Sequence, residues 1–205
     1  PDALVVGTTG RADPGCRPQD VEVDQAGRFS FRWDGVEIQL PAPGRHMLQD
    51  ALLALVAART LGVDAATAGR GIAGMRPEGM RGEERQIGPV TVILDCYNAN
   101  PQSTRAALDT LAIRAADGPR VAILGTMLEL GAESEALHDR VLNYSLSIGL
   151  DRVVATGDFA VAAPGRELET LIRARDPEEG WAELRGLLGG GGLVLLKASR
   201  GVALE

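Results

Sequence analysis

From Val90 onward, short apolar runs alternate with segments of helical period, and this alternation restricts the fold more than any other feature. Val90–Asp95, Arg120–Gly125, Arg152–Thr156 and Leu193–Lys197 are rich in Val, Ile and Leu and have the length of buried strands. Between them lies Ser103–Arg114, where Ala106, Ala107, Leu108, Leu111 and Ala112 recur at helical spacing. Glu133–Ile148 and Pro177–Leu188 read as further helices, the second opening on a proline at a favourable early position. The stretch 158–175 reads as a short helix and a strand. Strands and helices in strict alternation predict an α/β fold with a doubly wound, mostly parallel sheet.

The first part of the chain has a different texture. Residues 3–7, Val21–Val23, Arg28–Trp33 and Val36–Leu40 read as short strands, with Asp34-Gly35 as a hairpin turn. Pro41-Ala42-Pro43-Gly44 breaks the chain before a helix from His46 to Leu61, whose apolar face is Leu48, Ala51, Leu52, Leu55 and Ala58 and which Gly62 ends. A shorter helix follows over Ala65–Ala73, then a polar loop, 75–82, with two arginines. The change of pattern puts a domain boundary near residue 84, giving domains 1–84 and 85–205.

Composition narrows the function classes. Hydrophobic residues make up 45% of the 205 and aromatics only 3%, so the core is built from Ala, Val, Leu and Ile. A net charge of −7 argues against nucleic acid as partner, since a phosphate backbone calls for a basic face. Cys16 and Cys96 are isolated, without CxxC spacing, which suits reduced thiols. No apolar run has the length of a membrane span, and the expectation is a soluble, cytoplasmic protein with no membrane partner. There are twenty arginines and one lysine, Lys197, which is followed by Ala198; a phosphate-binding P-loop needs lysine followed by Ser or Thr, so the chain contains none.

Polar residues gather where strands end. Asp95-Cys96-Tyr97-Asn98-Ala99-Asn100-Pro101 crowds an acid, an aromatic ring and two amides onto a strand-to-helix turn, where open α/β sheets place ligands. The same residue types also favour turns and helix caps for local reasons. Four other stretches occupy comparable places: 44–50, 80–83, 125–131 and 197–201. Lysine ordinarily lies at the surface, and His138 reads as a partly exposed helix residue without a catalytic role.

In this order the stretches resemble the Mur ligases, and among them the branch that adds D-alanyl-D-alanine to the UDP-muramoyl tripeptide. Tyr97-Asn98-Ala99-Asn100-Pro101 with Ser103, Leu124–Gly131 with Ser134 and His138, and Leu196-Lys197-Ala198-Ser199-Arg200-Gly201 carry the likeness in the second part. Gly44-Arg45-His46 and Met80-Arg81-Gly82-Glu83 carry it in the first. The resemblance implies that 1–84 is the C-terminal part of a central ATPase domain and 85–205 a Rossmann-like domain. The UDP-sugar domain and the P-loop half of the ATPase domain are not among these residues, and the isolated chain is expected to be inactive.

The resemblance also implies roles. ATP would phosphorylate the tripeptide carboxylate, and the dipeptide amine would attack the acyl phosphate, with Mg2+ held by residues outside this chain. Arg81 would contact phosphate and act in catalysis. Asp95 would accept from the ribose, with Tyr97, Asn98 and Asn100 beside it, and His46 and Asp50 would border the adenine. Lys197, Ser199 and Arg200 would handle the incoming dipeptide. No metal ligand is expected. The chain departs from the family pattern at Met47 and Asp50, both usually asparagine, at Thr126, usually aspartate, and at Ala198, usually glycine. Alternatives are another amide ligase of the Mur and folylpolyglutamate synthase superfamily, or a non-catalytic nucleotide- or peptide-binding module. Self-association through an exposed sheet edge is a further expectation.

Overall fold

The computed structural model describes residues 4–8, 11–76, 79–163, 165 and 168–205. The chain forms two compact units, Pro1–Arg76 and Pro77–Glu205. This division falls before the boundary near 84 suggested by the pattern, so the loop carrying Arg81 goes with the second unit.

The first unit is an antiparallel sheet backed by helices. Strands β1 (Gln19–Val23), β2 (Arg28–Trp33) and β3 (Val36–Pro43) pair in that order. Asp34 and Gly35 both adopt positive φ, which is the backbone a tight hairpin needs between Trp33 and Val36. Along β2 the alternation places Phe29, Phe31 and Trp33 inside. They pack with Leu48, Leu52 and Leu55 of α1 (Arg45–Thr60), while α2 (Ala65–Ala73) starts at Asp64, whose carboxylate accepts from Thr67 N at 2.9 Å.

Two expectations fail here. Residues 4–8 form no strand, and Ala3 lies outside the described residues. The backbone of Val5 is engaged locally instead: its N–H donates to Asp13 Oδ2 at 2.7 Å and its carbonyl accepts from Asp13 N at 2.8 Å. Strand β3 also continues through Pro41 and Pro43, which were expected to break it. It is an edge strand paired on one side only, and an edge tolerates missing N–H donors.

The second unit has a six-stranded sheet. Its strands are β4 (Glu83–Ile87), β5 (Val90–Asp95), β6 (Arg120–Leu124), β7 (Arg152–Ala155), β8 (Leu171–Arg173) and β9 (Gly192–Lys197), in the order β4-β5-β9-β6-β7-β8. All pairings are parallel except that of β4 with β5. The helices are α3 (Pro101–Ile113), α4 (Ser134–Ser147), α5 (Asp158–Val161) and α6 (Pro177–Leu184). On one face Ile93, Ala122 and Leu195 meet Leu108 and Leu111 of α3, Leu142 of α4 and Phe159 of α5. On the other, Val92, Ile123 and Val194 meet Leu184 of α6 and Leu188. Cover on both faces explains why these strands read as continuous apolar runs.

Strand β4 escapes the pattern because Glu-Glu-Arg-Gln-Ile shows no apolar alternation; it is an edge strand whose side chains are mostly exposed, and its charges protect the edge from further pairing. Helix α6 ends at Leu184, earlier than the expected Leu188. Among the described residues no helix is long and apolar enough to cross a membrane.

Two buried positions near the carboxyl end of this sheet allow direct tests. A Cβ on Gly125 would lie 2.9 Å from Ala198 Cβ and 3.2 Å from Val202 Cγ1. Gly125→Ala is therefore expected to cost about 1–3 kcal/mol by overpacking, read as a lower urea midpoint with an unchanged slope. Cys96 is wholly buried, with its Sγ donating to Leu196 O at 3.3 Å. Burial pushes this thiol up to about 12, and the nearby Glu205 and Asp95 carboxylates add to the effect. The unfolded chain ionises its thiols near ~8.5. Between those values only the unfolded state loses the proton, so the stabilisation is full below ~8.5 and lost as pH rises towards about 12. Cys96 is expected to resist a thiol reagent at pH 8 until the chain unfolds; modification of the folded chain at the rate of a free cysteine would contradict the burial.

Candidate functional site

Strand β9 lies between β5 and β6, and the register levels their ends: Asp95 pairs with Lys197, and Lys197 with Leu124. The turns leaving these three strands, 95–101, 124–131 and 197–202, therefore emerge side by side. A fourth segment joins them, because Gly82 N donates to Leu94 O at 2.9 Å and Tyr97 N to Met80 O at 3.2 Å. Those bonds run the 79–82 loop along the end of β5 and bring Arg81 to the same place.

At the centre is Lys197, and the surface placement expected for it is wrong. It is 2% exposed. Its ammonium lies 2.9 Å from Asp95 Oδ2 and donates to Asp95 O at 3.2 Å and Asn98 O at 2.5 Å. Two of its N–H donors are taken by those carbonyls, and the carboxylate beside it supplies the opposite charge. A charge this deep needs such pairing, because an unpaired one is expelled or neutralised. The Asp95 carboxylate is 23% exposed and keeps its second oxygen for another donor.

Ser199 is also buried and engaged. Its hydroxyl accepts from Leu128 N at 2.9 Å and donates to Ala99 O at 3.3 Å, while its own N–H donates to Thr126 O at 3.1 Å. One residue thus fastens the three turns together. His138, expected to be partly exposed, is wholly buried in α4 and packs edge-on against Phe159 at 4.7 Å. Its Nε2 accepts from Met127 N at 2.9 Å, which leaves Nδ1 to carry the proton and donate to Ser134 O at 2.7 Å. It positions the 125–131 turn. Thr126 contributes as well: its Oγ1 accepts from Asp158 N at 3.0 Å, a contact to the start of α5.

The outer layer is different. Asn100 caps α3, accepting from Ser103 N at 2.8 Å in a reciprocal capping box, so its carbonyl oxygen is committed to the helix. Asn98 is exposed, with only its backbone carbonyl engaged. Tyr97 is 42% exposed, and the Arg81 guanidinium stands 3.9 Å from its ring centroid, with that of Arg200 at 5.8 Å. Among the described residues neither Arg81 nor Arg200 is in a salt bridge. Two exposed guanidinium groups held over one ring, beside an acceptor and a free amide, form a shelf suited to phosphate or carboxylate on one side and hydroxyl groups on the other.

His46 and Asp50 belong to the first unit. They lie four residues apart on α1, both exposed. The groove of about 400 Å3 lined by Gln86, Thr91, Arg114 and Gly190–Gly192 opens at the other end of the sheet, where β5 and β9 begin. Among the described residues no three His, Cys, Asp or Glu side chains converge to hold a metal ion.

Residues 80–200 match the family described as Mur ligase, glutamate ligase domain. The UDP-N-acetylmuramoyl-tripeptide–D-alanyl-D-alanine ligase of Bacillus subtilis is 30% identical over 91% of this chain and 42% of its own length. The crystal structure of MurF from Acinetobacter baumannii superposes with a TM-score of 0.80 at 28% identity, over 91% of this chain and 42% of that one. MurF from Thermotoga maritima, solved in complex with ADP, shares the fold with a TM-score of 0.72 at 24% identity, over 92% and 44% of the two chains. The chain thus spans about two-fifths of the length of these relatives. With more than half of its residues matched by the family and the strand-end turns arranged as described, the chain belongs to the Mur ligase family.

Proposed function

We propose that this chain supplies the ATP-ribose and dipeptide side of an ATP-dependent ligase joining D-alanyl-D-alanine to UDP-N-acetylmuramoyl-tripeptide in peptidoglycan synthesis. The observation that carries the proposal is the shelf of Arg81, Tyr97 and Arg200 beside Asp95 and Asn98 at the ends of β5 and β9. In this reaction a carboxylate oxygen bonds to the γ-phosphorus as ADP leaves. The dipeptide amine then attacks the acyl carbon, losing a proton as phosphate departs. Charge accumulates on phosphoryl oxygens, and positioned cations are what such a transfer needs.

Arg81 is the cation for that charge. Asp95, through its free oxygen, accepts from the sugar hydroxyls, and the Asn98 amide supplies a directional contact. Arg200 faces the carboxylate of the incoming dipeptide. Lys197 and Ser199, expected to touch substrate, serve here by fixing the turns, since their donors are already used within the chain. Asn100 acts as a helix cap. His46 and Asp50 are assigned to the adenine on the resemblance alone. The chain offers no cluster suited to Mg2+ among the described residues, and no step is assigned to that ion.

A second reading is favoured by the burial of Lys197. The only lysine cannot grip a phosphate, so the 205 residues by themselves act as a binding module without turnover. The two readings meet in one experiment, in which the chain is titrated with ADP and with D-alanyl-D-alanine by NMR and assayed for amide formation with ATP and tripeptide. Backbone shifts at 81 and 95–98 without amide product are expected. Amide made by the chain alone would overturn the module reading, and ADP leaving those residues unmoved would overturn the nucleotide assignment. Arg81→Ala is expected to weaken ADP about tenfold, the loss of roughly one charge-assisted hydrogen bond, and to leave adenosine binding unchanged.

A further inference from the structure

We propose that Lys197 is an electrostatic positioning residue: by neutralising Asp95 it lets a carboxylate that accepts from the sugar lie next to a polyanionic phosphate chain. The inference rests on the nucleotide reading above. A carboxylate is a good acceptor for a pair of hydroxyl groups, but beside a diphosphate its charge is repulsive. In this structure the opposite charge is built in behind it. Lys197 Nζ sits 2.9 Å from Asp95 Oδ2 on the buried side, while the remaining oxygen stays accessible. The lysine cannot swing out to meet a ligand, because Asp95 O and Asn98 O hold the same ammonium. It therefore acts through Asp95 and makes no contact with phosphate. Arginine abounds in this chain, yet the position holds the one lysine: two carbonyls and a carboxylate oxygen converge on a point, which suits an ammonium better than a planar fork.

A purely structural strut, once removed, weakens every ligand of the turn alike. A neutralising charge changes the ratio of ADP to adenosine affinity, since only ADP carries phosphate. One unit charge acting across roughly 10 Å at an effective dielectric near 20 corresponds to a change on the order of tenfold.

The experiment measures both affinities by NMR titration of the 205-residue chain at low and high salt, with thermal unfolding as a check on each variant. Lys197→Met is expected to lower the ADP-to-adenosine ratio about tenfold, and Asp95→Asn to raise it by a similar factor. The double variant D95N/K197M, which removes both charges, is expected to return the ratio to within about threefold of the unaltered chain. The two single-variant displacements should shrink at high salt, where the charge on the exposed phosphates is screened. Should Lys197→Met fail to fold, the rise in Asp95→Asn and the return in the double variant still decide. Equal losses of ADP and adenosine, or an unchanged ratio in Asp95→Asn, would overturn the proposal while leaving the nucleotide reading standing. Absence of both ADP and adenosine binding in the unaltered chain would overturn the reading and the proposal together.

Discussion

The ammonium of Lys197 is the fixed point of the second unit's polar end. It sits at the tip of the strand that separates β5 from β6, so its bonds reach the Asp95–Asn98 turn directly, and the next residues reach the 124–131 turn through Ser199. Parallel strands deliver this arrangement without further cost: their carboxyl ends point the same way, and their register levels Asp95, Lys197 and Leu124. The lysine's stem is packed in the sheet, and its charge is met by one carboxylate and two carbonyls. Removing any acceptor would leave part of a buried charge unmet, which is why the three turns behave as one structure.

Around that point the polar residues sort into two layers. Lys197, Ser199 and His138 are buried, and each ties its own element to a neighbouring turn: Lys197 through Asp95 and the Asn98 carbonyl, Ser199 through Leu128 N and Ala99 O, and His138 through Met127 N. Arg81, Arg200 and Asn98 are exposed and keep their polar groups free for a partner, with Tyr97 as the surface on which the guanidinium groups rest. A rigid inner layer holding an open outer one is what a binding site requires, since the outer groups then meet a ligand with little further ordering.

Much of this was legible in the residues. Strands β2 and β5 and helix α2 fall where the residues put them, because the apolar side chains of both strands are buried and those of the helix pack against the first unit's core. Strand β4 was illegible for the opposite reason: an edge strand with exposed side chains has no apolar rhythm to read. The prolines of β3 misled because proline breaks a ladder only where its nitrogen is needed. At the site, Asp95 and Asn98 were visible as residue types at a strand end, and Arg81 only through the resemblance carried by its loop. The burial of Lys197 and His138 was not, since nothing local distinguishes a lysine ending a strand from one reaching solvent. The nearest signal was numerical, one lysine against twenty arginines, and it spoke of a geometry that the guanidinium fork does not fit.

The place of β9 has a consequence for how the unit is built. The strand that comes latest in sequence occupies the middle of the sheet, and its contacts with β5 close a loop of about a hundred residues. Before it inserts, β4–β5 and β6–β7–β8 are separate pieces, each with one apolar flank lacking a neighbour. Loop closure of that length has to precede the reward of pairing, which makes the insertion of β9 the slow, concerted event of folding. The same arrival that joins the two pieces also brings the ammonium to its three oxygen partners, so the sheet and the polar shelf are completed in a single step.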